Sequence, residues 1–182
     1  MSIFNDIETA MHQKAKAAGL SIKFIELSDD DDLDTIERVP AVNFSIRSGK
    51  GHILNSSTER FDIDIYATVL VKHEKAEDAR RKLMNPLLQG IIGLFVGNGL
   101  SVTRPDTTVE NIPLKKKVWC KGFQQVRQTK NGLAYVIQFS TVVDIAAIDQ
   151  EEAEGIISVA LDEVYKPGDN TEDLSAVFSQ EE

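Results

Sequence analysis

Five carboxylates fall within six residues of the stretch SDDDDLD, and carboxylate oxygens are the ligands that Ca²⁺ prefers. A calcium loop of the EF-hand type that begins at Asp30 needs glycine at its sixth position and glutamate at its twelfth, where the chain has Thr35 and Ala41. Mutual repulsion between the carboxylates favours an exposed, extended loop. The sequence therefore predicts a solvated loop or a partner-facing surface, with adventitious binding of divalent ions as the alternative. This acidic stretch comprises Asp29, Asp30, Asp31, Asp32 and Asp34.

Four further residues have side chains that could take part in catalysis: Asp62, Asp64, His73 and Cys120. The two aspartates stand two apart in an alternating segment, which accounts for them as the polar face of a strand. Cys120 is the single cysteine; a nucleophilic role would require a histidine and an orienting partner. The spacings HExxH, CxxC, GxSxG and Walker are all absent from the sequence. We therefore expect no catalytic residue, no cofactor and no metal, and a protein that is not an enzyme.

Lysines are concentrated near the start of a predicted hairpin, at Lys115, Lys116, Lys117 and Lys121. Exposed ion pairs within one chain contribute little to stability. Between subunits, the same acidic and basic patches could set orientation and register. The acidic stretch and these lysines are therefore predicted to form a subunit interface.

The segments that must position these residues predict an α+β fold. A four-residue apolar period predicts a helix over residues 3–18 that ends at Gly19. Short strands are predicted at 21–27 and 39–46, and a polar, glycine-containing loop or hairpin tip at 47–57. Strict alternation predicts a strand over residues 61–71.

The second half of the domain predicts a helix and a hairpin. A helical pattern runs from Lys75 to about Val96, and Pro86 is expected either to kink it or to divide it into two helices. Residues 101–116 are predicted to be a connection. Strands at 118–127 and 133–145 flank the turn signal Asn131-Gly132. The prediction is a mostly antiparallel mixed sheet with the N-terminal helix and the long central helix, or helix pair, packed on one face.

Charge divides the chain into two parts. Residues 150–182 contain ten acids and one base, whereas residues 1–149 contain 19 of each, so the whole net charge of −9 belongs to the C-terminal segment. We expect one domain over 1–149 and a partly disordered acidic extension over 150–182. Sequence-specific binding to nucleic acid is not expected, because the basic footprint that dominates such affinity is absent. The longest apolar run, residues 91–96, is too short to cross a membrane, and the N-terminus predicts no secretion signal, so a cytoplasmic location is expected.

Four segments together resemble the small tail-terminator, or tail-completion, proteins of tailed bacteriophages, particularly those of Mu-like phages. They are IFNDIETAMHQKAKAAG, PAVNFSI, RFDIDIYATVLVKHEKAEDARRKLMNPLLQGIIGLF and GLAYVIQFSTVVDI. The resemblance covers roughly residues 1–147 and rests on pattern and element order. The acidic segment after Asp149 extends beyond it.

The resemblance implies a structural subunit that forms a ring, commonly a hexamer, at the head-proximal end of the tail tube. Such a ring ends tube polymerisation and presents a docking surface to the head connector or neck protein. Its partners would be itself and these two proteins, in the cytoplasm of the bacterial host and then in the virion tail. The family has no catalytic residue or cofactor. Two alternatives stay open: another head–tail joining or tail structural protein, and a small-molecule-binding protein or enzyme.

Overall fold

A computed structural model describes residues 2–22, 39–73 and 77–147 of the chain. The chain divides into two units, Met1–Ile145 and Ala146–Glu182, and the architecture below belongs to the first. The acidic stretch and the segment 150–182 lie outside the described residues.

Helix α1 (Ile3–Ala17) forms where the four-residue period predicts it, and it buries Ile7, Ala10, Met11 and Ala15. The Ser2 hydroxyl accepts a hydrogen bond from the Phe4 N–H at 3.3 Å, which is the preferred N-cap arrangement. The helix ends before Gly19, whose φ of +83° suits glycine at the position after a C-cap. The predicted N-terminal helix is therefore confirmed.

Two side chains of α1 bond to the backbone of the neighbouring strand. The Ile46 N–H donates to Glu8 Oε1 at 2.6 Å, and the Phe44 N–H donates to His12 Nε2 at 3.2 Å. Hydrogen bonds to the β2 backbone therefore attach α1 to the sheet in addition to its apolar contacts.

Strands β1 (Ser21–Ile22), β2 (Ala41–Asn55) and β3 (Thr58–Lys72) follow α1. β1 pairs in parallel with the start of β2, and β2 and β3 form one long antiparallel hairpin. The predicted loop or hairpin tip over residues 47–57 is a hairpin turn at residues 56–57 only, and the loop prediction is wrong for residues 47–55, which continue β2. Its polar side chains lie in an exposed part of the strand, where the β3 backbone supplies the hydrogen-bond partners and apolar residues are not required.

Gly51 leaves room for an aromatic ring packed across the β2–β3 pair. It lies opposite Phe61, and a Cβ atom at this position would stand 3.1 Å from the Phe61 ring. The glycine therefore permits the close approach of a ring that covers the strand pair.

Helix α2 (Glu77–Phe95) is one helix with Pro86 inside it, so of the two predicted alternatives, a kink or a division at Pro86, the division does not occur. Its buried positions include Met84, Leu88, Ile91 and Phe95, whereas Pro86 is exposed. Arg80, which is 6% exposed, donates to the backbone oxygens of His73 at 3.2 Å and Lys130 at 2.7 Å. These bonds tie the first turns of α2 to the end of β3 and to the following hairpin.

Residues 101–116, predicted to be a connection, contain a small antiparallel pair, β4 (Ser101–Thr103) and β5 (Val109–Asn111). The pair is fixed to α1 by Arg104, which bonds Asp6 in bidentate fashion at 2.6 and 3.0 Å and also contacts Glu110. Contacts between such distant residues are not visible in local sequence patterns. These contacts explain why residues 101–116 contain a strand pair where a connection was predicted.

Strands β6 (Lys116–Gln128) and β7 (Gly132–Ala146) form the predicted C-terminal hairpin around the Asn131-Gly132 turn. The five strands described in the large sheet follow the order β1-β2-β3-β7-β6. Two contacts show that β3 and β7 run in opposite directions. Arg60 near the start of β3 bonds Asp144 near the end of β7. The His73 N–H after β3 donates to the Asn131 oxygen before β7.

Both helices lie on one face of this sheet. The Phe44 ring of β2 meets His12 of α1 at 5.3 Å and Phe95 of α2 at 5.2 Å, and Phe95 meets Phe139 of β7 at 5.7 Å. The opposite, outer face carries a separate small apolar cluster of Ala41, Leu70 and Ala134. The predicted α+β class with a mostly antiparallel sheet is thus confirmed.

Candidate interaction surfaces

The four predicted interface lysines lie together at the start of the edge strand β6. Lys115 Nζ lies 3.3 Å from Asp144, and Lys121 Nζ bonds Asp64. Lys116 Nζ lies 5.8 Å from the centre of the Trp119 ring, and Lys117 is exposed. Two of the four charges therefore have a carboxylate partner within the chain, which leaves Lys116 and Lys117 as the more accessible half of the patch.

Asp64 is the centre of a polar network on the outer face. It accepts hydrogen bonds from Lys121 of β6, from Ser48 of β2 at 3.3 Å and from Gln138 of β7 at 3.1 Å. Burial acts to raise the pKa of this carboxyl, but hydrogen bonds from Lys121, Ser140 and Gln138, together with the Lys121 charge, outweigh it and the pKa is lowered. Asp64 therefore stays ionised and links four strands across the sheet.

A second ion cluster lies nearer the β2–β3 turn. Arg60 bonds Asp144 through two nitrogens, at 2.8 and 3.0 Å, and Lys115 completes the cluster. The Arg60 hydrogen bond is the main cause of a lowered pKa at Asp144. Sequence inspection missed this cluster and the Asp64 network because their members come from separate strands. Their alternating positions indicated only that the face is polar.

The described ends of the chain on either side of the acidic stretch lie at the other edge of the sheet. Ile22 ends β1 opposite Val42, and Val39 stands two residues before the first residue of β2. The described chain therefore stops at Ile22 and resumes at Val39 on this side of the sheet. β6 forms the opposite edge, about 19 Å away for four strand spacings of roughly 4.8 Å.

The four residues weighed for catalysis do not share one location. Asp62 and Asp64 point to the outer face, where Asp62 lies 3.3 Å from His52. Cys120 packs against the core on the helix-bearing face, opposite Phe139. His73 follows the last residue of β3. A site that uses Asp64 together with Cys120 would have to reach through the sheet.

The described part of the chain has neither a metal-binding cluster nor a membrane-spanning helix. Within residues 2–22, 39–73 and 77–147, no group of three or more His, Cys, Asp and Glu side chains is placed to hold a metal ion. Neither of the two helices described here has the length and apolar character needed to span a bilayer.

The architecture defines an α+β domain with a polar outer sheet face and charged strand edges. No protein-family model matches the sequence. A search of curated proteins finds no match either.

Proposed function

We propose that the protein is a structural subunit of a phage tail, which forms a ring that caps the tail tube, ends its polymerisation and presents a surface for head docking. The proposal begins from the resemblance of residues 1–147 to tail-terminator proteins. The α+β fold, with its N-terminal helix, long central helix and C-terminal hairpin, agrees with the element order on which that resemblance rests.

One observation carries the assembly part of this proposal: the lysines of β6 and the anchors of the acidic stretch lie at opposite edges of one sheet. Subunits of a ring meet head to tail, so each must present two different and complementary surfaces. The lysines at one edge are one such surface, and the acidic stretch, which the sequence supplies, is proposed as the other. In such a ring, Lys116 and Lys117 of one subunit pair with the acidic stretch of the next.

The charge balance supports the same function. Residues 1–149 carry equal numbers of acids and bases. A ring through which DNA passes must not bind phosphates tightly, and a subunit without a basic excess satisfies this condition. The partners in this proposal are further copies of the chain, the tail tube protein and a head connector or neck protein. The protein would assemble in the host cytoplasm and remain in the virion tail.

Light scattering coupled to size exclusion, with negative-stain imaging across a concentration series, tests the ring. We expect closed rings in the wild-type protein. Single reversals Lys116→Glu and Lys117→Glu should raise the concentration needed for assembly, whereas Lys16→Glu on the exposed side of α1 serves as the matched control. Equal assembly of all three variants would refute the charged interface.

Tube capping requires a second assay. Tail tube protein polymerised with the wild-type chain should give shorter tubes that bear one ring at an end, while tube protein alone should continue to elongate. Unchanged tube length and bare tube ends would reject the terminator role even if rings form.

A further inference from the structure

We propose that the β2–β3 turn of one copy inserts into an apolar groove beside α2 of a second copy. This inference rests on the proposed ring, because it names the joint through which subunits associate. It adds a contact that the charged edges do not provide, since it pairs two apolar surfaces.

The groove lies between the start of β2, the end of β3 and the outer side of α2, and it encloses about 390 Å³. This volume falls within the range of roughly 300–1,000 Å³ that is typical of ligand pockets. Leu83 stands in it with 46% of its surface exposed. Its lining residues are Val39, Pro40, Val71, Lys72, Lys82, Leu83, Pro86 and Leu87.

The walls of the groove are held in place by contacts outside it. Val71 belongs to the buried face of β3 and is 2% exposed. Arg80 fixes the first turns of α2 to the end of β3 through the bond to the His73 oxygen. Pro86 has no N–H, so the regular helical bond to the Lys82 carbonyl is missing within the groove. The groove is thus a formed, largely apolar surface.

Beside the β2–β3 turn, the last residues of β2 have the apolar side chains that would fill this groove. Ile53 is 80% exposed, and Leu54 beside it is 45% exposed. The turn is already ordered, because Asn55 Oδ1 accepts from the Ser57 N–H at 2.9 Å and from its hydroxyl at 3.1 Å. A pre-ordered turn loses little conformational entropy on binding.

Charge favours this pairing over a general apolar contact. Glu59 lies directly opposite Ile53 in the hairpin, so a carboxylate accompanies the apolar tip. Lys72 and Lys82 form the basic rim of the groove. An apolar tip with one acid therefore matches an apolar groove with basic edges.

Distance makes the contact intermolecular. The tip and the groove lie at opposite ends of the β2–β3 hairpin, and the 12 residue steps from Glu59 to Val71 span about 40 Å at 3.3–3.4 Å per residue. The tip therefore cannot fold back into its own groove. A tip-to-groove contact uses two different surfaces, so repeated copies generate a ring when the rotation closes.

Two substitutions on the full chain test the joint. Ile53→Asp damages the tip, Leu83→Asp damages the groove, and Val109→Asp is the matched control because Val109 is 66% exposed on β5. Loss of one central apolar anchor should weaken self-association at least about tenfold in either of the first two variants. The control should stay within about twofold of the wild type. Circular dichroism would establish that all three are folded.

Mixing the two damaged variants distinguishes this joint from a symmetric one. Ile53→Asp retains its groove and Leu83→Asp retains its tip, so one intact joint forms between them. The mixture should associate more tightly than either variant alone, with a heterodimer of twice the mass of the 20.2 kDa chain as its first product. A charge exchange adds a second test: Glu59→Lys or Lys82→Glu alone should weaken association, and the double variant should restore it.

The outcomes separate this inference from the proposed function. Wild-type rings that persist in both Ile53→Asp and Leu83→Asp, or a mixture that stays monomeric, would overturn the joint and leave the ring standing. A wild-type chain that is monomeric at its highest soluble concentration would overturn the joint, and tube capping would then decide the terminator role. A functional joint in a protein that fails to cap tubes would reject the terminator role alone.

Discussion

Replacement of Phe95 by alanine should cause the largest loss of stability among single changes in the helix-bearing core. Phe95 ends α2 and is fully buried. Its ring makes edge contacts with Phe44 of β2 and Phe139 of β7. One side chain therefore joins the helix to strands on both sides of β3.

The magnitude follows from these contacts. Truncation of a buried phenylalanine to alanine costs about 3–5 kcal/mol, which includes the cavity that remains. Each lost aromatic pair contributes about 0.5–1.5 kcal/mol beyond the buried area. A loss of about 4–5 kcal/mol is therefore expected, which is a large fraction of the roughly 5–15 kcal/mol that stabilises a typical domain.

Urea unfolding followed by circular dichroism and by fluorescence of the single tryptophan would measure the change. The protein concentration must be held constant, because self-association adds to apparent stability. Phe123→Ala is the control, since Phe123 is 57% exposed, and it should change stability by less than about 1 kcal/mol. Phe95→Leu covers the case in which the alanine variant fails to fold, with an expected loss below about 2 kcal/mol. A loss under 1 kcal/mol for Phe95→Ala would refute the role assigned to this ring.

Three further predictions concern glycines, pH and one ion cluster. Gly51→Ala should be less stable than Gly90→Ala, because a Cβ at Gly51 would stand 3.1 Å from an aromatic ring that must shift, whereas a Cβ at Gly90 in α2 meets no atom within 4 Å and should raise the free energy of unfolding by about 0.4–1 kcal/mol. Chemical unfolding measures both, and a Gly51→Ala variant as stable as Gly90→Ala would contradict the comparison. The folded-state pKa of Asp64 is lowered, so its contribution to stability is complete above the ordinary value near 3.9 and is lost as pH falls through the folded value. Asp64→Asn should therefore reduce the difference in melting temperature between pH 6 and pH 3, and an unchanged difference would argue against this role. Arg104→Gln should lower the melting temperature in low salt and lose part of that effect in high salt, since it removes ion pairs that salt screens; an equal loss at both salt concentrations would point to packing instead.

Local periodicity was sufficient to predict the strands whose residues alternate between core and solvent. In β3, Ile63, Ile65 and Val69 are buried on one side as the period of two predicts. The Asn131-Gly132 signal likewise located the C-terminal turn. Each of these features depends on neighbours in the sequence, so the sequence alone predicts it.

Contacts between distant segments were not predictable in this way. The second half of β2 is a strand because β3 pairs with it, although its own composition favours a loop. Asp64 takes its partners from positions 16 to 74 residues away, and the groove combines residues 39–40, 71–72 and 82–87. The order of strands in the sheet determines which of these residues come into contact. The two-residue period of a strand does not specify that order.

The bonds from Glu8 and His12 to the backbone of β2 have a consequence for solubility. Unsatisfied N–H groups along a strand edge are a template on which strands of other molecules pair and aggregate. Glu8 and His12 occupy two of these donors, so the first helix shields the strand beside it from such growth. His12 and Glu8 are synthesised before their donors, since Phe44 follows His12 by 32 residues and Ile46 follows Glu8 by 38. The His12 bond cannot form before residue 44 has left the ribosome, and the Glu8 bond cannot form before residue 46 has done so. A chain that lacks residues 1–8 cannot form the bond between Glu8 and the Ile46 N–H. We expect such a chain to precipitate under conditions that keep the intact protein in solution.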